Sequence, residues 1–227
     1  MRDSADSSVL LTMSGVEKRF GGVVALGGVD LEVRAGEVHA LLGENGAGKS
    51  TLMKVLSGAH APDAGACTLD GEPYAPSGPV DALERGVAMI YQELNLAPEL
   101  SVRQNVLLGR EPHGAFGWIR AGEADERVLK ALETLGAEEL KPDTKVRDLG
   151  PGQRQLVEIA RALVEDARLI VLDEPTSSLS AEDTQRLFEV VRRLTQQGVA
   201  VIYISHFLEE VQEIGDRFTV LRDGETV

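Results

Sequence analysis

Two patterns of apolar and polar residues alternate along the chain. Residues 9–20 and 23–33 contain β-rich segments, and Gly21-Gly22 between them predicts a hairpin. Between about 96 and 165, apolar residues recur at helical spacing with charges between them, and runs of β-branched residues disappear. The pattern therefore predicts a helical subdomain inserted into an α/β frame.

The last third of the chain returns to alternating strands and helices. Residues 169–172 and 199–204 are unbroken apolar runs, which are typical of strands buried on both faces. The helix expected between them, at about 181–197, begins after Ser180 with a Ser-x-x-Asp capping pattern. Strands joined through helices predict a largely parallel sheet with right-handed crossovers.

A glycine-rich segment, GENGAGKS, lies between a predicted strand at 38–42 and a predicted helix at 49–57. It has the spacing G-x-x-x-x-G-K-[ST]. Glycines let the backbone wrap a phosphate closely, and successive N–H groups form an anion site at a helix N-terminus. Lys49 is expected to contact the β- and γ-phosphates of a nucleotide, and the Ser50 hydroxyl is expected to contact Mg²⁺. A glycine-rich turn that binds nothing is the alternative, but the flanking strand and helix argue against it.

The acids Asp173 and Glu174 follow the buried run at 169–172. Ligands of open α/β sheets bind at the C-terminal ends of the strands, where these side chains would lie. Asp173 can hold Mg²⁺ through its water shell, and Glu174 can polarise a water that attacks a γ-phosphate. Two solvated acids at a strand end are the alternative. The phosphate loop earlier in the chain favours the nucleotide site.

Composition restricts the classes of partner. The chain has 23 basic and 37 acidic residues and a net charge of −14, which argues against a broad nucleic-acid surface. Its single cysteine, Cys67, excludes an internal disulfide framework and fits a reducing compartment. The N-terminal residues lack the apolar core of a signal peptide, and no apolar run reaches the length of a membrane span. A membrane role is therefore expected to come from a partner.

Taken together, these motifs resemble the ATP-binding cassette of ABC transporters over nearly the whole chain from about residue 9. The resemblance implies that Phe20 stacks on adenine, that Gln92 senses Mg²⁺ and the attacking water, and that His206 contacts the γ-phosphate. Taken singly, Phe20 could be a core aromatic, Gln92 a loop residue and His206 a polar cap residue. Their order around a phosphate loop makes the assignment specific.

The resemblance implies ATP and Mg²⁺ as ligands and assigns a role to each residue of the site. The expected catalytic residues are Glu174, His206 and Gln92, and the expected metal contacts are Ser50, Gln92 and Asp173. The expected nucleotide-binding residues are Phe20, Gly43, Glu44, Asn45, Gly46, Ala47, Gly48, Lys49, Ser50 and Thr51.

The family's signature segment, LSGGQ, aligns with Leu149, Gly150, Pro151, Gly152 and Gln153. In the family, the signature of one cassette caps the nucleotide of a second cassette. Gly150 lacks the serine hydroxyl of the family pattern, and Pro151 lacks a backbone N–H. The chain is therefore expected to lend its partner a weakened cap.

The resemblance implies an α/β fold with a P-loop NTPase core. It comprises a largely parallel sheet, an N-terminal antiparallel β segment and an inserted α-helical subdomain. We expect a single nucleotide-binding domain over 1–227, with a RecA-like core at about 9–92 and 166–227 and the helical subdomain at about 93–165. Trp118, in the helical part, is interpreted as a packing or partner residue.

Three longer segments resemble the first cassette of bacterial monosaccharide importers of the ribose, galactose and xylose type. They are GENGAGKSTLMKVLSG, YQELNLAPELSVRQNVLLGRE and GQRQLVEIARAL. This resemblance implies an ATPase subunit at the cytoplasmic face of the membrane. Its partners would be a second cassette, permease subunits and, indirectly, a periplasmic or lipid-anchored sugar-binding protein. A soluble ABC ATPase outside transport and a regulatory module that does not hydrolyse nucleotide remain the alternatives.

Overall fold

The computed structural model describes residues 8–112 and 121–227, so Trp118 lies outside the described residues. The strands are β1 (Val9–Phe20), β2 (Val23–Arg34), β3 (Val38–Leu42), β4 (Ala64–Leu69), β5 (Glu72–Pro73), β6 (Val87–Ile90), β7 (Leu169–Asp173), β8 (Ala200–Ile204), β9 (Arg217–Arg222) and β10 (Glu225–Thr226). The helices are α1 (Lys49–Leu56), α2 (Pro79–Glu84), α3 (Val102–Val106), α4 (Ala121–Leu135), α5 (Pro151–Val164), α6 (Ala181–Gln196) and α7 (Leu208–Ile214).

The N-terminal strands form an antiparallel sheet in the order β2-β1-β4-β5. The hairpin predicted at Gly21-Gly22 joins β1 to β2, with Phe20 opposite Val23. The inward face of this sheet packs on α1 through a cluster that includes Met13, Leu26 and Met53. The sheet therefore covers one side of the phosphate loop that precedes α1.

A second sheet has the order β10-β9-β3-β8-β7-β6, and only its β9-β10 pair is antiparallel. Every residue of β3 and β8 is buried, as expected for strands covered on both faces. In the register, Asp173 lies beside Ile204, so the ends of β7 and β8 meet at one edge. The predicted α/β class with a largely parallel sheet is confirmed.

Helices α3 to α6 share an apolar cluster with one face of the parallel sheet. On α5, the helical spacing of Leu156, Ile159, Ala160 and Leu163 places them on one face, of which the first three are buried and Leu163 is partly buried. Phe188 on α6 meets Tyr203 on β8 edge to face, with the ring centroids 6.1 Å apart. Helices α3 to α6 therefore pack on the parallel sheet whose strand β7 ends at Asp173.

Local signals also explain where α6 begins. The Ser180 hydroxyl accepts a hydrogen bond from the Asp183 N–H at 3.1 Å, which is the predicted N-cap. Sequence patterns did not predict β5 and α2, which are only two and six residues long. Within the described residues, no helix has the length and apolarity required to cross a membrane.

Candidate functional site

The glycine-rich segment forms the turn from β3 into α1. Gly48 caps α1 in the left-handed region, with φ of 106°, a conformation that glycine adopts without a steric penalty. The side chain of Lys49 is only 7% exposed. Its ammonium donates to the carbonyl oxygens of Gly43 at 2.5 Å and Glu44 at 3.1 Å. The lysine therefore lies inside the loop, with its charge at the N-terminal end of a helix.

Two neighbouring elements press against this loop. A Cβ at Gly43 would lie 2.6 Å from the carbonyl oxygen of Leu221, and a Cβ at Gly48 would lie 2.8 Å from that of Ala25. The N–H of Gly224 donates to the Ala47 carbonyl at 3.1 Å. Packing against β2 and the β9-β10 turn therefore fixes the shape of the loop and requires glycine at positions 43 and 48.

A cleft of about 480 Å³ opens above the loop and brings most of the predicted residues together. The loop residues, the first turn of α1, Gln92 and both acids contribute to its walls: Ala25, Glu44, Asn45, Gly46, Gly48, Lys49, Ser50, Thr51, Gln92, Asp173 and Glu174. The Gln92 amide donates to the hydroxyl of Ser177 at 3.4 Å, which connects the loop after β6 to the loop after β7. The cleft is polar and large enough for a phosphate group.

Asp173 is the last residue of β7, and its side chain is half-buried. Burial raises the pKa of its carboxyl group, the charge of Glu174 raises it further, and Lys49 partly offsets both. This environment disfavours the negatively charged form of Asp173. A cation bound in the cleft would relieve that cost.

Glu174 follows in a backbone conformation that is unusual for a non-glycine residue, with φ of 46°. Such a conformation costs about 1–3 kcal/mol and persists only where the surroundings enforce it. Here the Glu174 N–H donates to the carbonyl oxygen of Ile204 at 3.0 Å. The backbone therefore directs this carboxylate into the cleft, away from the direction that a continued strand would give.

His206 lies two residues beyond the end of β8. Its Nδ1 is 3.3 Å from Oε1 of Glu174, and the side chains are 47% and 21% exposed. His206 does not line the cleft itself, but it contacts an acid that does. Both groups remain accessible from solvent.

Phe20, which is predicted to stack on adenine, lies at the end of β1. It has 46% of its surface exposed and does not line the cleft. Its ring meets His60 edge to face at 5.3 Å, and the Lys18 ammonium is 5.7 Å from the ring centroid. The exposed ring shares the β1-β2 hairpin with Ala25, which does line the cleft.

The segment Leu149–Gln153 begins α5, with Gly150 as the N-cap and Pro151 as the first helical residue. Proline suits this position because no intrahelical partner is needed for its missing N–H. The Gly150 N–H donates to the Gln153 side-chain oxygen at 3.1 Å. None of the five predicted signature residues, which the structure describes in full, lines the cleft.

Gly152 has a structural role that the sequence did not reveal. A Cβ at this position would overlap the side chain of Asp183 and would lie only 2.9 Å from the Cβ of Asp183. Asp183 also accepts from the Ser180 hydroxyl at 2.8 Å. The first turns of α5 and α6 therefore pack so closely at this point that there is no room for a side chain at position 152.

Sequence reasoning also missed Ala25 and Ser177. Ala25 has no polar side chain and reaches the cleft only because β2 folds over the phosphate loop. Ser177 does have a local signal, since it follows Glu174 by three residues. Its contact with Gln92, 85 residues away, depends on the sheet order.

Residues 26–177 match the protein family described as ABC transporter. A ribose import ATP-binding protein of Rubrobacter xylanophilus is 52% identical over 218 residues, which cover 96% of this chain and 43% of that protein. An arabinose import ATP-binding protein of Azospirillum brasilense is 50% identical over 230 residues, which cover 99% of this chain and 43% of that protein. The chain thus spans less than half the length of these curated relatives.

Solved structures with a similar fold include a nucleotide-free ATP-binding cassette from an ABC transporter. It has a TM-score of 0.86 and 30% identity over 97% of this chain and 90% of that one. Another is a dimeric cassette in a post-hydrolysis state bound to ADP and phosphate, with a TM-score of 0.78 and 26% identity, covering 96% of each chain. The likeness extends through both sheets and the helical layer.

Proposed function

From the premise that this chain belongs to the ABC transporter family, we propose that it binds ATP with Mg²⁺ and hydrolyses the ATP to power import of a sugar. One observation carries the proposal. The phosphate loop, Gln92 and the acids Asp173 and Glu174 line a single cleft, and His206 contacts Glu174 at its side. This is the set of groups that transfer of a γ-phosphoryl group to water requires.

The phosphates of ATP would bind where the N-terminus of α1 meets the loop. The positive end of the helix and the nearby N–H groups favour an anion there. The Lys49 ammonium now donates to the loop's own carbonyl oxygens, and it would exchange those contacts for phosphate oxygens. Phe20 is proposed to stack on the adenine, since its ring is exposed on the hairpin that borders the cleft.

The donors in the cleft fit Mg²⁺, which prefers hard oxygen ligands. Ser50 offers a hydroxyl, Gln92 an amide oxygen and Asp173 a carboxylate whose pKa is raised by burial. When bound, the ion would neutralise charge on the phosphates. The cost of keeping Asp173 ionised would fall in its presence.

Glu174 is proposed to take a proton from the attacking water. Its carboxylate lines the cleft, and its backbone is pinned to Ile204 at the end of β8. His206 would orient Glu174 through the 3.3 Å contact and turn towards the γ-phosphate when nucleotide is present. Gln92, which Ser177 now holds, would position the water from the other side.

A second cassette is the expected partner in turnover. The segment Leu149–Gln153 does not line the chain's own cleft, which is compatible with a surface that caps another cassette's nucleotide. Closure would hold only while an intact γ-phosphate bridges the two surfaces. With Gly150 and Pro151 in the signature, this chain would offer fewer hydrogen-bond donors to that nucleotide than the family pattern does.

We further propose that 1–227 is a single nucleotide-binding domain. Its RecA-like core would comprise about 9–92 and 166–227, and its helical subdomain about 93–165. Support comes from the grouping of α3, α4 and α5 on one side of the parallel sheet. The phosphate loop and the acids fall in the first and last segments, on either side of the helical one.

A second groove, of about 210 Å³, is proposed to receive a cytoplasmic segment of the permease. Its walls are mostly apolar, and Val80 and Tyr91 in them are 65% and 36% exposed. Tyr91 immediately precedes Gln92, so a segment bound here would touch the loop that enters the nucleotide cleft. The wall also contains Glu158, whose carboxylate accepts from the Asn95 N–H at 2.8 Å and lies 3.8 Å from the Arg161 guanidinium.

The cargo proposal rests on the two relatives, which are named for ribose and arabinose import. A sugar-binding protein, periplasmic or lipid-anchored, would be an indirect partner. The chain would sit peripherally at the cytoplasmic face of the membrane. The net charge of −14 supports the absence of a nucleic-acid partner.

The test is reconstitution of the whole transporter in vesicles, with labelled ribose, arabinose and galactose compared as cargo. We expect Mg²⁺-ATP-dependent uptake of one of these sugars and phosphate release that rises with it. Val80→Asp should reduce uptake while leaving ATP affinity unchanged. Phosphate release with no dependence on permease or sugar would point instead to an ATPase outside transport, and no release at all would contradict hydrolysis.

A further inference from the structure

The carboxylate of Glu210, on α7, accepts hydrogen bonds from three hydroxyl groups. Its Oε1 accepts from Thr176 at 2.7 Å, and its Oε2 accepts from Tyr203 and Ser205 at 2.9 Å each. The three donors belong to three segments: the loop after β7, strand β8 and the loop after β8. Glu210 thus joins parts of the chain that are remote in sequence.

Two of these donors belong to the loops that carry the proposed catalytic groups. Thr176 follows Glu174 by two residues, and Ser205 immediately precedes His206. The Ser205 hydroxyl also accepts from the N–H of Phe207 at 3.0 Å, so it holds the backbone on both sides of the histidine. One carboxylate therefore ties the two loops together.

Burial makes these bonds costly to lose. Thr176 is 8% exposed and Ser205 is 1% exposed, so neither hydroxyl could exchange Glu210 for bulk water. Hydrogen bonds to a carboxylate are also stronger than bonds between neutral groups. Burial, and then the charge of Glu210, raises the pKa of Tyr203, so its hydroxyl remains a donor to Glu210 throughout the physiological range.

Glu210 does not line the nucleotide cleft. Each oxygen of its carboxylate accepts at least one of the three hydrogen bonds. Its influence on the site must therefore pass through the loops that it joins. The geometry of Glu174 and His206, whose side chains are 3.3 Å apart, depends on how those loops are spaced.

We infer that Glu210 is a positioning residue for ATP hydrolysis, because its carboxylate sets the separation of the Glu174 and His206 loops. The inference rests on the proposed hydrolysis. A misplacement of about 1 Å at a reacting group can cost about 100-fold in rate. Loss of the bridge should therefore lower kcat and leave ATP binding at the phosphate loop nearly intact.

The test compares Glu210→Ala with Glu209→Ala, its exposed neighbour on the same helix. For Glu210→Ala we expect kcat to fall by about 10- to 100-fold, with KM for ATP little changed. Glu210→Gln keeps an acceptor for Thr176 and can donate to the other two oxygens, so it should retain most of kcat. The control should behave as the unsubstituted chain does.

Partner substitutions keep the test valid if Glu210→Ala does not fold. Thr176→Val and Ser205→Ala each remove one bond of the bridge and should each lower kcat in part. Where Glu210→Ala does fold, adding Thr176→Val to it should cause little further loss of kcat, as coupled residues behave in a double-mutant cycle. Amide exchange at Phe207 should also accelerate in Glu210→Ala without nucleotide.

Equal kcat for Glu210→Ala and Glu209→Ala, in an unsubstituted chain that turns over, would overturn the positioning role. So would a raised KM with unchanged kcat, or strictly additive losses in the double variant. No turnover by the unsubstituted chain, measured with a second cassette present, would overturn the proposed hydrolysis itself. The two failures are therefore distinguishable.

Discussion

Nδ1 of His206 lies 3.3 Å from Oε1 of Glu174, although the two residues are 32 positions apart. The contact exists because β7 and β8 are parallel neighbours whose ends meet at one edge of the sheet. Glu174 is the first residue after β7, and His206 is the second residue after β8. The proposed general base and the histidine proposed to orient it are therefore in contact.

Lys49→Ala should weaken ATP binding itself. The ammonium is the only side-chain cation among the residues that line the cleft, and it sits where the phosphates would bind. A charge-assisted bond of this kind contributes about 1.5–3 kcal/mol, so we expect affinity to fall by roughly 10- to 100-fold. Titration of a fluorescent ATP analogue measures this. Lys54→Ala, on the same helix but exposed, is the control, and equal affinities for both variants would contradict the role of Lys49.

Asp173→Asn should stabilise the nucleotide-free protein at neutral pH. Burial and the neighbouring charge of Glu174 raise the pKa of Asp173, so the folded state binds its proton more tightly than the unfolded state. Ionisation of Asp173 therefore lowers the free energy of unfolding. This loss is absent below the pKa of the unfolded state and is complete once the pH has risen through the pKa of the folded state. Denaturation should show a higher free energy of unfolding for the variant than for the unsubstituted protein at pH 7, and no such difference at pH 3.

The same substitution should have the opposite effect when Mg²⁺-ATP is present. A ligand that binds only the folded state stabilises it according to its affinity. Asp173→Asn should reduce the rise in Tm that Mg²⁺-ATP produces, while the rise produced by ATP with a chelator should change little. An unchanged response to Mg²⁺ would contradict the proposed metal contact.

Gly152→Ala should destabilise the fold, because the new methyl group would overlap the Asp183 side chain, including its Cβ. Overpacking of this kind costs about 1–3 kcal/mol in free energy of unfolding. Gly150→Ala is a matched control, since a Cβ there would meet only the Gln153 side-chain oxygen, at 4.0 Å. Urea denaturation of both variants measures the difference. Equal free energies of unfolding for the two variants would show that α5 and α6 can move apart at no cost, and would contradict the prediction.

Restoring the family pattern with Gly150→Ser and Pro151→Gly should change turnover little when this chain works with its partner cassette. Our hypothesis is that the second cassette's own nucleotide site, which this surface would cap, is the less active of the two, so that a weakened cap there costs little turnover. Phosphate release by the assembled pair is the measurement. A large gain in turnover would show that this surface limits activity, contrary to the hypothesis.

The parts of the site that are local in sequence could be predicted from it. The spacing of GENGAGKS predicts a phosphate loop. The apolar run at 169–172 predicts that Asp173 and Glu174 lie at the end of a buried strand. The contact of Gly152 with Asp183 and the bridge at Glu210 could not be predicted, because both depend on how α5, α6 and α7 pack on the sheet. Nor does any local pattern reveal that Ala25 would enter the cleft.

Short elements were the other limit on prediction from sequence. The strand β5 and the helix α2 contain too few residues for a hydrophobic period to show. Phe20 illustrates a different limit, because its alignment with an adenine-stacking aromatic does not place the ring. In the structure the ring contacts His60 and does not line the cleft.

The central claim is that Glu174 is the base for ATP hydrolysis in the cleft. Its most direct test is phosphate release from Mg²⁺-ATP by Glu174→Gln, with ATP affinity measured on the same sample and Glu182→Gln, an exposed residue on α6, as the control. Loss of a general base typically costs about 10²–10⁴-fold in rate, so we expect such a fall in kcat with ATP affinity intact. Hydrolysis at the unsubstituted rate by Glu174→Gln would contradict the account.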